Sequence, residues 1–502
     1  MHLRPACDGG VLWHFRSHRS LARHVPTVYA RITRSSGAYR NTGVLEIIVS
    51  LCVAAIVFLI YRRYGNIFSL PFFWAAVFAC LYVGLLEIRA ESGGSSYIYG
   101  AFGFGMFFLG LLVADFMLLY RGRVARIRSR RQQPSRKNPE PDPKPDRQSK
   151  PTRIRLLFPR LPLNVGLFVS LIGATYVTII FFSSQGFPIF SSFPAMAWVQ
   201  STSGVVNRLM SVFGPGCYAS LGLIAWAVHR ETGAREAKGL MYLGLGLAIL
   251  SQSLLATKAA AIMIFIWFNI MLFYLNKKRE FRKSVLPFII VVVPVSAAIV
   301  AVRLMSSYGY WQAGSISQTF VTRVTSEAAG PLDFIVKYSD RWGPMHGGAM
   351  RLELRRIKEQ LTGQTRTPIL SEYVFDLMSN QPTNATGLSA ALTLEGTGYV
   401  EWGLAGLLLY SFVQGLVYGW IHRYLLRQET MSIVMVIFWG GILNYVMAAS
   451  VSGTILVGLE GVLADFVPPL VLLLPFCVFF LLPLARRYRT SKGRRVSRVS
   501  EA

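Results

Sequence analysis

The chain has few charged residues and few cysteines. Only 15% of its 502 residues are charged, 53% are hydrophobic, and the mean hydropathy is positive. This balance excludes a disordered chain and is typical of a membrane protein. The five cysteines are scattered and no pair has disulfide or metal-ligand spacing, so we expect neither redox chemistry nor a structural zinc site.

The sequence also lacks the common signatures of nucleotide and metal sites. It contains no phosphate-binding Gly-rich loop of the GxxxxGK[ST] type and no HExxH pair. Asp142 and Asp146 lie in a basic, Pro-rich segment, and their spacing does not suit a metal–diphosphate. We therefore expect no metal ion and no other cofactor. The net charge of +28 does not indicate nucleic-acid binding, because the basic residues concentrate between apolar runs.

Apolar runs long enough to cross about 30 Å of hydrocarbon recur along the chain. We count eleven, at 44–61, 70–88, 97–120, 163–183, 212–228, 239–256, 259–276, 284–302, 396–420, 431–449 and 466–485. Because unpaired sheet edges cannot face lipid, the sequence predicts an all-α polytopic membrane protein with about 11 transmembrane helices.

The distribution of Lys and Arg predicts the orientation of these spans. Basic segments at 121–160, 229–238, 277–283 and 422–429 and the tail are expected on the cytoplasmic side. The predicted organisation is a basic segment 1–43, transmembrane helices 1–3 at 44–120, a basic linker 121–160, helices 4–8 at 161–302, one large outer loop 303–395, helices 9–11 at 396–485 and a tail 486–502.

The N-terminal segment 1–43 fits this orientation poorly. An outer location conflicts with its seven arginines, and no apolar core of a signal peptide follows within the first thirty residues. A miscounted span, a position on the membrane surface, or a functional start near Val44 would each explain it. We favour the start near Val44.

The outer loop 303–395 holds the candidate acid–base residues. It carries nine Lys/Arg and eight Asp/Glu and ends at the glycine-rich stretch Gly396–Gly406. His346, the only histidine between Arg303 and Glu395, suits a general base near neutral pH. Glu372, Glu395 and Glu401 are rival candidates, and one of the four at most serves as the base. A lone histidine is more often incidental, and carboxylates are common on ordinary solvated helices.

Five cations are candidates for binding a phosphate group at the outer face: Lys258, Arg303, Arg323, Arg351 and Arg355. Arginine suits bidentate capture of a diphosphate, whereas Lys258 could also be a snorkelling residue in a hairpin turn. Met350, Leu354, Ile357 and Leu361 recur at helical spacing, which predicts a helix along the outer membrane surface. The alternative for its arginines is simple contact with anionic lipid headgroups.

Three stretches carry a resemblance to a known family. They are Gln185–Phe190, the hairpin Thr257–Ala260, and Gly396–Gly406 with its Gly-x-x-Tyr-x-x-Trp-Gly-x-x-Gly pattern. Together with the order of the spans over about 44–485, they resemble the O-antigen polymerases, or Wzy-type oligosaccharide repeat-unit polymerases. Two departures are Gly398, where an acidic residue is common, and Lys258, where arginine is common.

The resemblance implies a GT-C-like membrane fold in the bacterial inner membrane and an inverting, metal-independent glycosyltransferase. Its substrates would be oligosaccharides linked to undecaprenyl diphosphate, joined at the periplasmic face. Lys258 and the loop arginines would bind the leaving diphosphate, and a chain-length regulator and a flippase are further expected partners. An O-antigen ligase, with His346 as base, and a transporter or flippase for lipid-linked glycan are the alternatives. A transporter would predict charged residues within the spans and broken helices near the midplane.

Overall fold

A computed structural model shows a mostly helical protein. It describes residues 44–92, 95–132, 152–156, 160–187, 213–255, 258–276, 329–338, 344–362, 368–379 and 391–456 and a few isolated positions. The helices are α1 Val44–Tyr64, α2 Leu70–Ser92, α3 Ser96–Gln132, α4 Arg160–Gln185, α5 Pro215–Thr232, α6 Arg235–Leu254, α7 Lys258–Asn276, α8 Gly348–Thr362, α9 Leu370–Ser379, α10 Thr393–Arg427 and α11 Ile433–Ser452. Two short strands are β1 Arg153–Arg155 and β2 Thr430–Ser432, and residues 329–338 are also helical.

Within the described residues, six helices are long and apolar enough to cross a membrane. They are Glu46–Tyr64, Leu70–Ala90, Ser96–Leu118, Leu163–Ser184, Thr393–Arg427 and Ile433–Ser452. The prediction of an all-α membrane protein is confirmed. The predicted spans 284–302 and 466–485 lie outside the described residues, so the count of eleven and the GT-C-like fold stay predictions.

The chain forms two compact units. Unit 1 contains α1–α3, α8, α9, most of α10 and the end of α11; unit 2 contains α4–α7, both strands and most of α11.

Buried and half-buried polar contacts define the two ends of unit 1. At one end, called the Ser96 end, Ser96 donates to Asp333 Oδ1 over 2.5 Å, and Arg89 pairs with Glu46. At the other, called the Asp115 end, Asp115 pairs with Arg63 (2.5 Å) and Arg423 (2.6 Å). Helices α1 and α3 and the C-terminal part of α10 therefore run in the same direction, with α2 opposite.

Replacing Asp115 with asparagine should lower the unfolding temperature of the purified protein. The Asp115 side chain is fully buried and pairs with both Arg63 and Arg423. Removing its charge leaves two adjacent cations, although both arginines are about one-third exposed, which reduces the cost to about 2 kcal/mol. A thermal melt in detergent measures the change, with Glu87→Gln, a change at an exposed carboxylate on α2, as control. An unchanged melt would show that the two arginines need no partner.

Glycines allow α3 and α10 to cross at backbone contact. A Cβ at Gly110 would lie 2.2 Å from the Phe412 carbonyl oxygen, and one at Gly415 would lie 2.0 Å from the Phe107 oxygen. Small residues at such a crossing give close packing of membrane helices. This contact fixes α10, which carries the glycine-rich stretch, against the N-terminal helices of unit 1.

In unit 2, an arginine and several backbone groups form hydrogen bonds near the ends of α5 and α7. Strand β1 pairs in parallel with β2, an element that the sequence did not predict. Arg230, at the end of α5, donates to the carbonyl oxygens of Thr152 (2.6 Å) and Leu275 (3.2 Å). Arg230 thus joins two of the segments that the sequence predicts on the cytoplasmic side, 121–160 and 229–238.

Candidate functional site

The glycine-rich stretch forms a break inside α10. Trp402 and Gly403 leave the helical conformation, and Gly403 has a φ of 60°, which favours glycine. A Cβ at Gly406 would lie 1.9 Å from the Gly398 oxygen. In a straight helix these two residues would be about 12 Å apart. The short arm Thr393–Glu401 is therefore folded back against the rest of α10.

Carbonyl groups at the end of the short arm are paired with the segment that precedes α8. Met345 N–H donates to the Val400 oxygen over 3.0 Å, and His346 N–H donates to the Glu401 oxygen over 3.1 Å. A helix end exposes such carbonyls, so these bonds satisfy groups that the break would leave open. These bonds also hold residues 345 and 346 against the glycine-rich stretch.

The Glu401 carboxylate lies at the N-terminus of α8. It is buried, and it accepts hydrogen bonds from the N–H groups of Gly347 and Ala349, the latter at 2.6 Å. An anion at a helix N-terminus pairs with N–H groups that have no partner within the helix. Glu401 thus joins α8 directly to the broken span.

Helix α8 exposes its apolar stripe together with its cations. Met350 and Leu354 are 42% and 54% exposed, and Arg351, Arg355 and Lys358 are exposed beside them. The predicted helix is present. Because Met350 and Leu354 are left uncovered by the described protein, they are available to lipid, as a helix along a bilayer surface requires.

The inner face of α8 is polar and tightly held. Glu353 accepts hydrogen bonds from the N–H groups of Ile455 (3.1 Å) and Leu456 (2.5 Å), which follow α11. Arg356 Nη2 lies 3.5 Å from Glu372 Oε1 on α9, and both side chains are buried. Three carboxylates, Glu353, Glu372 and Glu401, therefore fix the helix that carries Arg351 and Arg355.

Glu372 also caps its own helix. Its Oε2 accepts the N–H of Ile369, three residues earlier, at the start of α9. Together with the ion pair to Arg356, this contact occupies both carboxylate oxygens. The side chain of Asp376, four residues on, lies outside the described residues.

Glu395 belongs to a separate polar network inside the membrane helices. The Gln414 amide nitrogen donates a 2.6 Å hydrogen bond to Glu395 Oε1. The Gln414 amide oxygen accepts hydrogen bonds from Trp74 (3.0 Å) and Ser450 (2.7 Å). The Tyr418 hydroxyl lies 2.6 Å from Ser450 Oγ. Glu395 Oε2 is buried and makes no hydrogen bond within the described chain. A carboxylate in such a position is a functional candidate by default.

The structure therefore brings together some of the predicted site residues. His346, Arg351 and Arg355 are exposed on one segment, with Glu401 beneath it, and Glu372 is linked through Arg356. This segment lies at the Ser96 end, because Ala349 shares a buried cluster with Ile335, two residues after Asp333, and Tyr399 contacts Tyr99 on α3. Glu395 lies in its own network.

Three other predicted site residues have no described side chain. Lys258 begins α7, but its side chain lies outside the described residues, and so do Arg303 and Arg323. Among the described residues, no group of three or more His, Cys, Asp or Glu side chains is placed to hold a metal ion.

Sequence reasoning missed two sets of residues. The sequence analysis did not single out Glu353, because nothing local predicts its contact with residues more than one hundred positions later. The network of Trp74, Gln414 and Ser450 had a usable signal, since a glutamine in an apolar run requires a partner within the protein.

Fold and site together define a multi-pass helical membrane protein with a charged surface helix seated on a broken, glycine-rich span. The model of a family described as "Putative O-antigen polymerase" matches residues 67–455, and the chain belongs to that family. This confirms the resemblance that the sequence carries. Searches of the curated proteins and of the solved structures return no match.

Proposed function

We propose that the protein polymerises oligosaccharide repeat units carried on undecaprenyl diphosphate, at the periplasmic face of the bacterial inner membrane. The observation that carries the proposal is the surface of α8, which presents Arg351 and Arg355 one helical turn apart and follows the exposed His346. Membership of the O-antigen polymerase family supports the same activity. Both lines support glycosyl transfer, and the first favours the Ser96 end as its location.

The proposed step is an inverting displacement that needs no metal ion. An acceptor sugar hydroxyl attacks the anomeric carbon of the donor chain, and the bond from that carbon to the diphosphate oxygen breaks. Arg351 and Arg355, with Lys258, Arg303 and Arg323 as further candidates, stabilise the negative charge on the departing diphosphate. The donor chain is thereby transferred from its lipid to the next lipid-linked unit.

His346 is the base that the geometry favours for the hydroxyl proton. It is exposed, whereas Glu395 is buried and both carboxylate oxygens of Glu372 and Glu401 already accept backbone hydrogen bonds or an ion pair. A histidine positioned near the acceptor can take the proton as the new bond forms. A chain-length regulator and a flippase are the partners that such a polymerase would require.

A strain without the gene tests the activity. Its glycan, resolved by gel into lipid-linked and finished material, should consist of single repeat units attached to the final acceptor. Long chains stranded on undecaprenyl diphosphate would instead identify a ligase. Repeat units trapped on the cytoplasmic side, with no glycan formed in the periplasm, would identify a transporter.

Complementing that strain with His346→Gln should restore less than about 1% of the wild-type polymer, because general base catalysis contributes 10²–10⁴-fold. His229→Gln is the matched control, since His229 contacts the Ala234 carbonyl oxygen at the end of α5 and is not one of the proposed site residues. Full-length polymer with His346→Gln would move the base to another residue.

A further inference from the structure

We infer that Glu401 is a positioning residue, which acts on the transfer through the segment that carries His346 and Arg351. The inference rests on the proposed function. Glu401 is 1% exposed, and both oxygens of its carboxylate accept backbone hydrogen bonds, from Gly347 and Ala349. A carboxylate so occupied and so buried holds its neighbours in place.

Four bonds tie residues 345–349 to the end of the short arm of α10. Met345 and His346 donate to the carbonyl oxygens of residues 400 and 401, and Gly347 and Ala349 donate to the Glu401 side chain. All four N–H groups therefore bond to two adjacent residues, Val400 and Glu401. The orientation of this segment is set by the glycine-rich break.

His346 needs such a support because of its backbone. Its φ is 45°, a left-handed conformation that costs a residue other than glycine free energy, and it persists only where surrounding contacts enforce it. The side-chain direction of His346 follows from this φ. Arg351 lies in the first two turns of the helix that Glu401 caps, so both side chains depend on one carboxylate.

At position 401 only a carboxylate offers two acceptor oxygens, one for each of the N–H groups of Gly347 and Ala349. Glutamine has the same shape, but its amide nitrogen would face an N–H group and lose one of the two bonds. Aspartate keeps both acceptors and is shorter by one methylene. Glu401→Gln should therefore loosen the segment more than Glu401→Asp, which is the opposite of what side-chain length alone predicts.

The test uses the whole protein in lipid nanodiscs and the lipid-linked repeat unit that accumulates in the strain without the gene. Glu401→Gln should lower kcat about 10–100-fold, as expected for small misplacement of reacting groups, with KM changed less and the shape of the pH–rate profile retained. Hydrogen exchange over residues 345–350 should quicken. Glu401→Asp should recover part of the rate, and Glu87→Gln, at an exposed carboxylate on α2, should match the wild type.

Three results would overturn the inference. Unchanged exchange over 345–350 in Glu401→Gln would show that the carboxylate does not hold the segment. Loss of the acidic limb of the pH–rate profile with unchanged exchange would make Glu401 the base. If Glu401→Gln keeps the wild-type kcat while the Arg351 and His346 variants are inactive, only the positioning role of Glu401 is refuted. If all of these variants keep the wild-type kcat, the proposed function itself is refuted.

Discussion

Gly406→Ala should abolish polymerisation and sharply reduce the yield of folded protein. Its new methyl group would lie 1.9 Å from the Gly398 carbonyl oxygen and 3.1 Å from Trp402 Cβ. The first contact is with backbone, which cannot rotate away as a flexible side chain could. Insertion of one methyl group into a tight contact costs about 1–3 kcal/mol or more, and here it would also part the two arms of α10.

If the two arms of α10 separate, α8 loses the hydrogen-bonding groups that hold its N-terminus. The short arm carries the Val400 and Glu401 groups that bind residues 345–349, so its displacement moves His346 and Arg351 together. Yield by fluorescence-detected gel filtration and glycan length by gel measure the two effects. Gly105→Ala is the matched control, because a Cβ at Gly105 on α3 has no neighbour within 4 Å among the described residues. Normal chain length with Gly406→Ala would show that the contact at Gly398 is not needed.

Replacing Arg351 and Arg355 together with glutamine should lower the polymerisation rate by at least about 10³-fold while leaving the protein folded. Loss of one donor to a developing negative charge costs about 10²–10³ in rate, and the double variant removes both exposed guanidinium groups of α8. The fold should survive, because the Arg355 side chain is 60% exposed and its pair with Glu359 contributes at most about 0.5 kcal/mol.

Purified double variant and wild type, compared with the same lipid-linked substrate, provide the measurement. Arg235→Gln removes an exposed guanidinium at the start of α6 in unit 2 and should leave the rate unchanged. A double variant that polymerises normally but dissociates from vesicles of anionic phospholipid more readily would assign the two arginines to headgroup contact. In that case the diphosphate would have to be bound by Lys258, Arg303 or Arg323.

Local sequence patterns predicted the membrane helices and the helix α8 well. Apolar runs over 44–61, 70–88 and 97–120 correspond to α1, α2 and α3, because span length follows directly from bilayer thickness. The 3.6-residue period around Met350 and Leu354 predicted α8 and placed Arg351 and Arg355 on it. These features depend on neighbouring residues only.

Long-range contacts were beyond the reach of such patterns. The continuation of α3 to Gln132 and the pairing of β1 with β2 gave no readable signal. The glycines at 396–406 marked an unusual segment, but not a helix folded back on itself at Trp402 and Gly403. Backbone contact between Gly398 and Gly406 depends on packing, which a list of residue types does not contain.

The sequence by itself determined that this is a helical membrane protein, that a helix with several cations lies between residues 303 and 395, and that a glycine-rich stretch follows. Hydropathy and helical period suffice for these conclusions, because each is a property of consecutive residues. Only the tertiary structure decided which carboxylates are free to act. Glu401, Glu372 and Glu395 are the same residue type. Burial and contacts with residues distant in the sequence make the first a cap of α8, the second an ion-pair partner of Arg356 and the third part of a network within the membrane helices.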